Sequence, residues 1–167
     1  LVFGFFFFRR ERKQEYPLFP VDLLKIPIFS LSIMTSIFSF IAQMLAMVSL
    51  PFFLQGSLGK DEVATGLLLT PWPLTTMLFA PLAGVLVEKI NAGILGGVGL
   101  LIFAFGLFML GELPANPQDI DIIWRMAICG AGFGLFQTPN NSTIISSAPK
   151  ERSGGASGML GTARLLG

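Results

Sequence analysis

Four long runs of apolar residues dominate this sequence, at positions 27–54, 63–87, 93–111 and 122–145. A helix needs roughly 20 predominantly apolar residues to cross the hydrocarbon core of a bilayer, and each run has about this length. Apolar residues make up 53% of the chain and charged residues only 13%, which is typical of a multispanning membrane protein and not of a soluble domain. The sequence therefore predicts an all-α membrane protein with four complete transmembrane helices in contact with the lipid bilayer.

Two shorter apolar stretches lie at the ends of the chain. Residues 1–8 have no basic region before them and no cleavage site after them, which excludes a signal peptide, and we interpret them as the end of a preceding transmembrane helix. Residues 157–167 are predicted to begin a further helix, and residues 9–26 to form a basic cytoplasmic linker. Because the sequence opens inside an apolar run without an initiator Met, we expect it to be a fragment of a longer polypeptide.

Basic residues gather in alternate connections between the predicted spans. One side holds Arg9, Arg10, Arg12, Lys13, Lys25, Lys89, Lys150 and Arg152. The connections on the other side contain Lys60 as their one basic residue, among several acidic ones. Because Lys and Arg are enriched in cytoplasmic loops, the first complete span is predicted to run from the cytoplasm outward, and the others to alternate.

The charged and nucleophilic residues exclude several classes of function. The chain has a net charge of +1, one cysteine and no histidine. It therefore lacks the clustered basic excess of a nucleic-acid-binding surface and the usual ligands of a metal site. A hydrolytic triad or a His-based acid–base site cannot be assembled either. We expect no nucleic-acid partner, no metal, no cofactor and no enzymatic activity.

Two of the four predicted spans carry a stripe of polar or small side chains. Successive members are four, three and four residues apart, which places them on one face of a helix. The stripes are Ser32, Ser36, Ser39 and Gln43 in the first span, and Gly130, Gly134, Gln137 and Asn141 in the fourth. Phe133, Phe136 and Ile144 are expected to point elsewhere.

Two interpretations of these stripes remain open. Ser, Gly and Asn let helices approach closely and hydrogen-bond across an interface, which favours helix packing. Amide side chains are costly to expose to lipid, which favours a water-filled cavity for Gln and Asn. The candidates for a substrate path are then Ser36, Ser39, Gln43, Gln137, Asn140 and Asn141. Gly130 and Gly134 are assigned a structural or gating role.

The second predicted span is interrupted by Pro71, Pro73 and Pro81. Each proline removes a backbone donor and tends to kink a helix, a break that membranes tolerate when neighbouring groups satisfy the freed carbonyls. Both a gating bend and a static kink fit this pattern, so we assign the prolines a structural or gating role. The third span combines glycines with large apolar residues, which indicates packing and lipid contact.

The connection after the second span, PLAGVLVEKINAG, resembles the cytoplasmic loop motif of major facilitator transporters, G-x-L-x-D-R-x-G-R-x. The matching positions are Gly84, Leu86, Glu88 and Lys89. Asn91 stands in place of the turn glycine, which Asn can replace because it tolerates left-handed backbone angles. Ala92 stands where the motif has arginine, so the charge network that this arginine serves in the family is not reproduced.

Further segments narrow the resemblance. SLPFFLQGSLG, ATGLLLTP, GAGFGLFQTPNN and GGASGMLGTARLLG follow one another along the chain. In order and spacing they are similar to the second half of the drug:proton antiporters with fourteen transmembrane helices. The resemblance implies part of the C-terminal six-helix bundle of a major facilitator fold, in which the first and fourth helices line the cavity. Here these are the two spans that carry the polar stripes.

The same resemblance implies multidrug efflux, that is, a secondary active transporter of the bacterial inner membrane that exports lipophilic or cationic drugs in exchange for protons. Its implied partner is the missing N-terminal helix bundle of the same chain. The proton-coupling acids are expected there, because no Asp or Glu lies within a complete span. Two alternatives remain: another major facilitator transporter, and a structural or channel-like membrane subunit.

Two arginines lie inside the predicted membrane segments. Arg125 follows Asp121 by one helical turn near the outer surface, so an ion pair and an extended side chain account for it. Arg164 lies deeper in the last segment, where a charge needs a partner or water. The resemblance assigns this position to a helix-packing motif, so we expect a structural or gating role. Glycines at 154, 155, 158 and 161 would let a neighbouring helix approach.

Overall fold

The computed structural model describes residues 21–149 and 152–166, and every regular element in these ranges is helical. The helices, in chain order, are α1 (Pro27–Phe52), α2 (Glu62–Leu69), α3 (Pro71–Leu86), α4 (Ala92–Gly111), α5 (Asp119–Ser147) and α6 (Ser153–Leu166). A 3-10 turn, Val21–Lys25, precedes α1, and a π-helical turn, Phe53–Ser57, follows it. This architecture confirms the all-α class. The predictions for positions 1–8, 9–20, 150 and 167 lie outside the described residues.

Three stretches of the described chain are long and apolar enough to cross a membrane, namely Pro27–Ser57, Glu62–Leu86 and Ala92–Gly111. They coincide with the first three predicted spans to within a few residues. α5 covers the fourth predicted span with 29 residues, about 43 Å of helix at 1.5 Å per residue. Its polar side chains give it a lower hydropathy than the other three. A helix of this composition is stable in a bilayer when other helices shield it from lipid.

α5 is the central helix of the described bundle. It packs most extensively against α4 and α3, and it also contacts α1 and α6. The side of α4 that faces away from α5 leaves Leu101 and Phe108 more than half exposed, as expected of a surface that meets lipid. Among the amides of α5, Asn140 is buried between its neighbours, and Gln137 and Asn141 are half-buried.

Glycines set the close approach of α5 to both principal neighbours. A Cβ atom added at Gly132 would overlap the backbone nitrogen of Phe103 in α4. One added at Gly130 would overlap the Thr75 hydroxyl and the Trp72 carbonyl in α3. Because those obstacles are largely backbone, a larger residue at either position would have to separate the helices. The small residues of α5 thus allow its backbone to contact the backbone of α3 on one side and of α4 on the other.

The second span breaks into two helices at Thr70, next to Pro71. The missing amide of Pro71 ends the α2 hydrogen-bond ladder, and the Thr70 hydroxyl donates to the Gly66 carbonyl at 2.8 Å. On the other side of the break, the Thr75 hydroxyl donates to the Pro71 carbonyl at 2.8 Å. The Leu67 carbonyl, which an amide at position 71 would have bonded, accepts a hydrogen bond from the Thr70 amide at 3.3 Å. A neighbouring group therefore satisfies the carbonyl that Pro71 frees, as membrane helices require.

Asn91 corrects one detail of the loop prediction. We expected it to use left-handed backbone angles in place of a glycine, but its φ is −54°. Its side-chain oxygen instead accepts a hydrogen bond from the Gly93 amide at 2.8 Å and so caps the first turn of α4. The prediction was wrong because Asn satisfies a helix N-terminus as readily as it forms a tight turn.

Two ion pairs lie at the opposite end of the bundle among the described residues, one between connections and one within α5. Lys60 is paired with Asp119 at the start of α5, which links the connection before α2 to the one before α5. The predicted pair of Arg125 with Asp121 is confirmed, with an Nη1–Oδ1 distance of 3.5 Å and a hydrogen bond of 2.8 Å to the Asp121 carbonyl. The Arg125 guanidinium also lies 4.5 Å from the ring centroid of Trp124.

Candidate functional site: a cavity lined by amide and aromatic side chains

A cavity of about 560 Å³ lies between α1, the broken α2–α3 span and α5. Its lining residues are Phe40, Gln43, Met47, Gly66, Leu69, Thr70, Trp72, Pro73, Thr76, Met77, Phe133 and Gln137. No ionisable side chain is among them. A volume of this size suits a small organic molecule.

Gln43 of α1 and Gln137 of α5 are the two amide side chains of the cavity wall, which also contains the hydroxyl side chains of Thr70 and Thr76. Both side chains are half-buried, and each amide can donate two hydrogen bonds and accept on its oxygen. They come from the two polar stripes predicted from the sequence, and the structure brings them to one cavity. The pair can therefore orient a neutral polar group without contributing a charge.

Three aromatic residues, Phe40, Trp72 and Phe133, contribute to the apolar part of the cavity wall. The Phe40 and Phe133 rings lie 5.4 Å apart at 81°, and Phe133 in turn lies 5.4 Å from Phe103. We predicted that Phe133 points away from the polar stripe, and this was wrong, because positions 133 and 137 are one helical turn apart and both side chains line the cavity. Edge-to-face rings of this kind form a rigid apolar wall.

Trp72 is the largest fully buried side chain of the cavity wall, with 1% of its surface exposed. Its ring meets Phe103 edge-on at 5.6 Å. The hydroxyl oxygens of Thr75 and Thr76 lie 3.1 and 3.0 Å from its backbone carbonyl oxygen, and each hydroxyl shares its single proton with a second carbonyl, that of Pro71 or Gly130. Its indole Nε1 is buried and has no acceptor in the described part of the chain.

Asn140 lies in the contact between α1 and α5, and it is not among the cavity-lining residues. Its amide nitrogen donates to the Ser36 hydroxyl at 2.7 Å and to the Ser32 carbonyl at 3.1 Å. Ser39, one turn further on, is also buried and donates to the Ser36 carbonyl at 2.9 Å. The α1 stripe is therefore divided, with Ser32, Ser36 and Ser39 buried in the helix contact and Gln43 at the cavity. On α5 the contact with α1 is made by Asn140, which lies beside the stripe.

Three further stripe residues have different surroundings. Gly130 and Gly134 face α3, with the Thr76 carbonyl 3.0 Å from a Cβ atom built at Gly134. The Thr76 hydroxyl donates to the Gly130 carbonyl at 3.0 Å, which ties α3 to α5. Asn141 is half-buried and lies outside the set of residues that line the cavity.

Arg164 lies on an exposed face of α6, with its guanidinium carbon 5.7 Å from the ring centroid of Phe40. This is within the range of a cation–π contact and places a positive charge on a ring that also lines the cavity. Among the described residues, no atom lies within 4 Å of a Cβ built at Gly154, Gly158 or Gly161. The helix approach expected at these glycines is not seen within the part of the chain that the structure describes.

The loop-motif residues lie at the end of the bundle away from the Lys60–Asp119 pair. Gly84 lies close to α5, because a Cβ atom built on it would be 3.9 Å from Thr138 Cγ2. Glu88 and Lys89 are both exposed in the turn between α3 and α4. Their positions are those of a surface loop, remote from the cavity lining.

The prolines of the second span divide between the cavity and its surroundings. Pro73 lines the cavity, Pro71 starts α3, and Pro81 is exposed within α3. No group of three or more His, Cys, Asp or Glu side chains able to hold a metal occurs in residues 21–149 and 152–166.

Sequence reasoning missed the contribution of the second span. We treated it as a bent helix, yet it contributes Trp72, Thr76 and Met77 to the cavity wall. The signal was present in the segment TPWPLTT, where a tryptophan stands between two prolines and is followed by two threonines. The helix restarts within this segment, so its polar and aromatic residues do not recur with a regular helical period and do not form a stripe.

Comparison with known proteins places these observations in context. The family model described as Major Facilitator Superfamily matches residues 1–167. The uncharacterized transporter YebQ of Escherichia coli (strain K12) is 70% identical over 167 residues, covering 100% of this chain and 36% of that protein. The multidrug resistance protein Stp of Mycobacterium tuberculosis (strain CDC 1551 / Oshkosh) is 29% identical over 94% of this chain and 29% of its own length. The riboflavin transporter RibZ of Clostridioides difficile (strain 630) is 29% identical over 94% of this chain and 34% of its own length. The chain thus spans about a third of the length of these relatives.

Proposed function

Because this chain belongs to the major facilitator superfamily, and is therefore part of an integral multi-pass membrane transporter, we propose that the whole transporter exports small lipophilic or cationic molecules in exchange for protons. In this proposal the chain forms part of the C-terminal six-helix bundle, and α1 and α5 contribute one side of the substrate path. The N-terminal bundle of the same polypeptide contributes the other side. The bacterial relatives favour the inner membrane as its location.

The observation that supports this proposal most directly is the cavity between α1, α2–α3 and α5. Aromatic and methionine side chains make up much of its wall, and two glutamines and two threonines provide its polar side chains. Such a wall binds diverse lipophilic molecules, because rings and thioethers contact many shapes while a few amides orient them. The name of the relative Stp, a multidrug resistance protein, agrees with this substrate class.

Proton coupling is assigned to residues outside the described part of this chain. In the described ranges, 21–149 and 152–166, Asp and Glu lie in connections, at helix ends or in the first turn of a helix. A coupling acid has to exchange its proton along the transport path. The proposal therefore assigns substrate binding to this half and proton exchange to the other half of the transporter.

The test uses the full-length transporter in everted membrane vesicles, with ethidium as the fluorescent substrate. We expect a pH gradient to drive ethidium accumulation, a protonophore to abolish it, and ethidium addition to dissipate part of the gradient. Gln43→Leu and Gln137→Leu should slow accumulation at constant protein level. Gln55→Leu is the matched control, because Gln55 is an exposed residue of the π-helical turn.

Two other outcomes would replace the proposal. If ethidium accumulation persisted after addition of the protonophore, the transporter would not be coupled to protons. The alternative of another kind of major facilitator transporter would then replace the proposal. Passive ethidium flux that only dissipates its own concentration gradient, with no effect of the pH gradient, would favour a channel-like membrane subunit. Equal effects of the Gln137 and Gln55 substitutions on ethidium accumulation would show that the cavity is not part of the transport path.

A further inference from the structure

Gly66 is the one residue without a side chain among the described residues that line the cavity. It lies inside α2, where a glycine is less favourable than an alanine. A positive φ or the close approach of another helix usually accounts for such a glycine. Neither is found at Gly66 within the described residues. The glycine with a positive φ is Gly59. Apart from its own chain neighbours, no side chain and no other helix lies within 4 Å of a Cβ atom built at Gly66.

The open space beside Gly66 belongs to the cavity. Gly66, Thr70, Pro73 and Met77 follow one another at intervals of four, three and four residues, which places them on one face of a helix. Thr70 keeps helical angles, with φ −58° and ψ −34°, so this face continues from α2 into α3 across the break. All four residues are exposed and all four line the cavity. A side chain at position 66 would therefore extend into the cavity.

Gly66 offers a bound molecule space and no polar group. Its backbone carbonyl already accepts hydrogen bonds from the Thr70 amide at 3.1 Å and from the Thr70 hydroxyl at 2.8 Å. A carbonyl oxygen has two lone pairs, and both are used here. The aromatic rings and the two glutamines of the wall supply the chemistry of the site. Position 66 decides instead how large a molecule the wall can accommodate.

We propose that Gly66 is a specificity-determining residue of the substrate path. The space at position 66 admits lipophilic molecules with a bulky substituent, such as a phenyl ring that stands out of the plane of a flat ring system. A larger residue at this position would restrict the path to slimmer molecules of the same charge, because an apolar site discriminates by fit. This inference rests on the proposed transport function and adds a size limit to its substrate class.

The test compares equilibrium binding of two cations to the purified full-length transporter. Ethidium carries a phenyl ring on its flat phenanthridinium, and its dephenyl analogue is the same flat diamino cation without that ring. Gly66→Leu should weaken ethidium binding about tenfold relative to the wild type, which is the scale of a steric misfit in an apolar site. It should change binding of the dephenyl analogue by less than about twofold. Gly66→Ala should produce a smaller change in the same direction.

Gly97→Leu is the matched control. Gly97 is an exposed glycine of α4 that lies outside the cavity lining, and a Cβ atom built on it meets no described atom within 4 Å. The substitution should leave binding of both cations unchanged. If Gly66→Leu lowers the folded yield, Gly66→Cys can be enlarged after folding. Modification with benzyl methanethiosulfonate should then weaken ethidium binding selectively, and the methyl reagent should have little effect. Because the native Cys129 is fully buried, the same treatment should leave the wild type unchanged.

Equal weakening of the two cations by Gly66→Leu and by benzylated Gly66→Cys would overturn the proposal and assign Gly66 to a contact with a helix outside the described residues. Unchanged binding of both cations would overturn it too, as would absence of ethidium binding by the wild type. These binding ratios do not depend on a pH gradient. Proton-driven accumulation of ethidium can therefore fail while the size limit holds, and the size limit can fail while proton-driven accumulation is observed.

Discussion

Asn140 and Gln137 are neighbouring amides on α5 with different surroundings, and their substitution should separate helix packing from substrate contact. Asn140 makes two hydrogen bonds to α1, to the Ser36 hydroxyl at 2.7 Å and the Ser32 carbonyl at 3.1 Å. Gln137 is half-buried at the cavity. We expect Asn140→Ala to destabilise the transporter for every substrate alike, and Gln137→Ala to alter substrate binding with little effect on stability.

The magnitude follows from the two hydrogen bonds between helices. Such bonds in membrane proteins contribute about 0.6 kcal/mol on average and at most about 1.7 kcal/mol. Loss of both should therefore lower the free energy of unfolding by about 1 to 3 kcal/mol. Gln137→Ala removes no packed contact of this kind, so its effect should stay within about 0.5 kcal/mol.

The assay is unfolding of the full-length transporter by a denaturing detergent in mixed micelles, followed by circular dichroism. A double-mutant cycle of Asn140→Ala with Ser36→Ala isolates the direct bond, and its coupling energy should be about 0.6 to 1.7 kcal/mol. The reasoning would be refuted if Asn140→Ala left the free energy of unfolding unchanged and altered which compounds are exported. Asn140 would then contact substrate, as the cavity interpretation of the stripes had proposed.

Three further predictions concern accessibility, the loop and α6. Gln43→Cys and Gln137→Cys should react with a water-soluble thiol reagent in the full-length transporter, while Phe103→Cys should not; equal protection of all three would contradict an aqueous path. Glu88→Gln should slow export at unchanged protein level, because an exposed loop charge biases one state of the transport cycle; loss of protein from the membrane would instead identify Glu88 as a folding determinant. Arg164→Lys keeps the charge and loses the planar guanidinium, so it should impair export of every substrate tested, and Arg164→Ala should also reduce the folded yield. If Arg164→Ala changed which substrates are exported and left the folded yield intact, the structural role assigned to Arg164 would be wrong.

The sequence predicted the all-α membrane fold class with little ambiguity, and the long apolar helices of the structure coincide with three of the predicted spans. Runs of about 20 apolar residues have few stable conformations in lipid, because every backbone group has to be satisfied within the segment. The first three spans therefore end within a few residues of their predicted bounds. The ion pair between Arg125 and Asp121 was predictable for a similar reason, because it depends on a spacing of four residues within one helix.

Contacts between helices were less predictable. The amides of α5 indicated a polar face but not what it meets. In the structure Asn140, which lies beside the predicted stripe, contacts α1, and the stripe residue Gln137 lies at the cavity. Phe133 was assigned to the wrong side because a cavity wall spans more than one row of side chains. Asn91 was given the wrong backbone angles because a turn and a helix cap use the same residue type.

The sequence by itself determined that this chain crosses a membrane as helices, and that two of its spans carry amides too polar to face lipid. Periodicity within a helix is a local property, so it can be read from spacing alone. Only the tertiary structure decided that Trp72 joins Gln43 and Gln137 at one cavity, with its own side chain almost fully buried. That arrangement depends on how closely α3 and α5 approach at Gly130 and on where the second span restarts after Pro71, which are properties of the packed helices and not of any single segment.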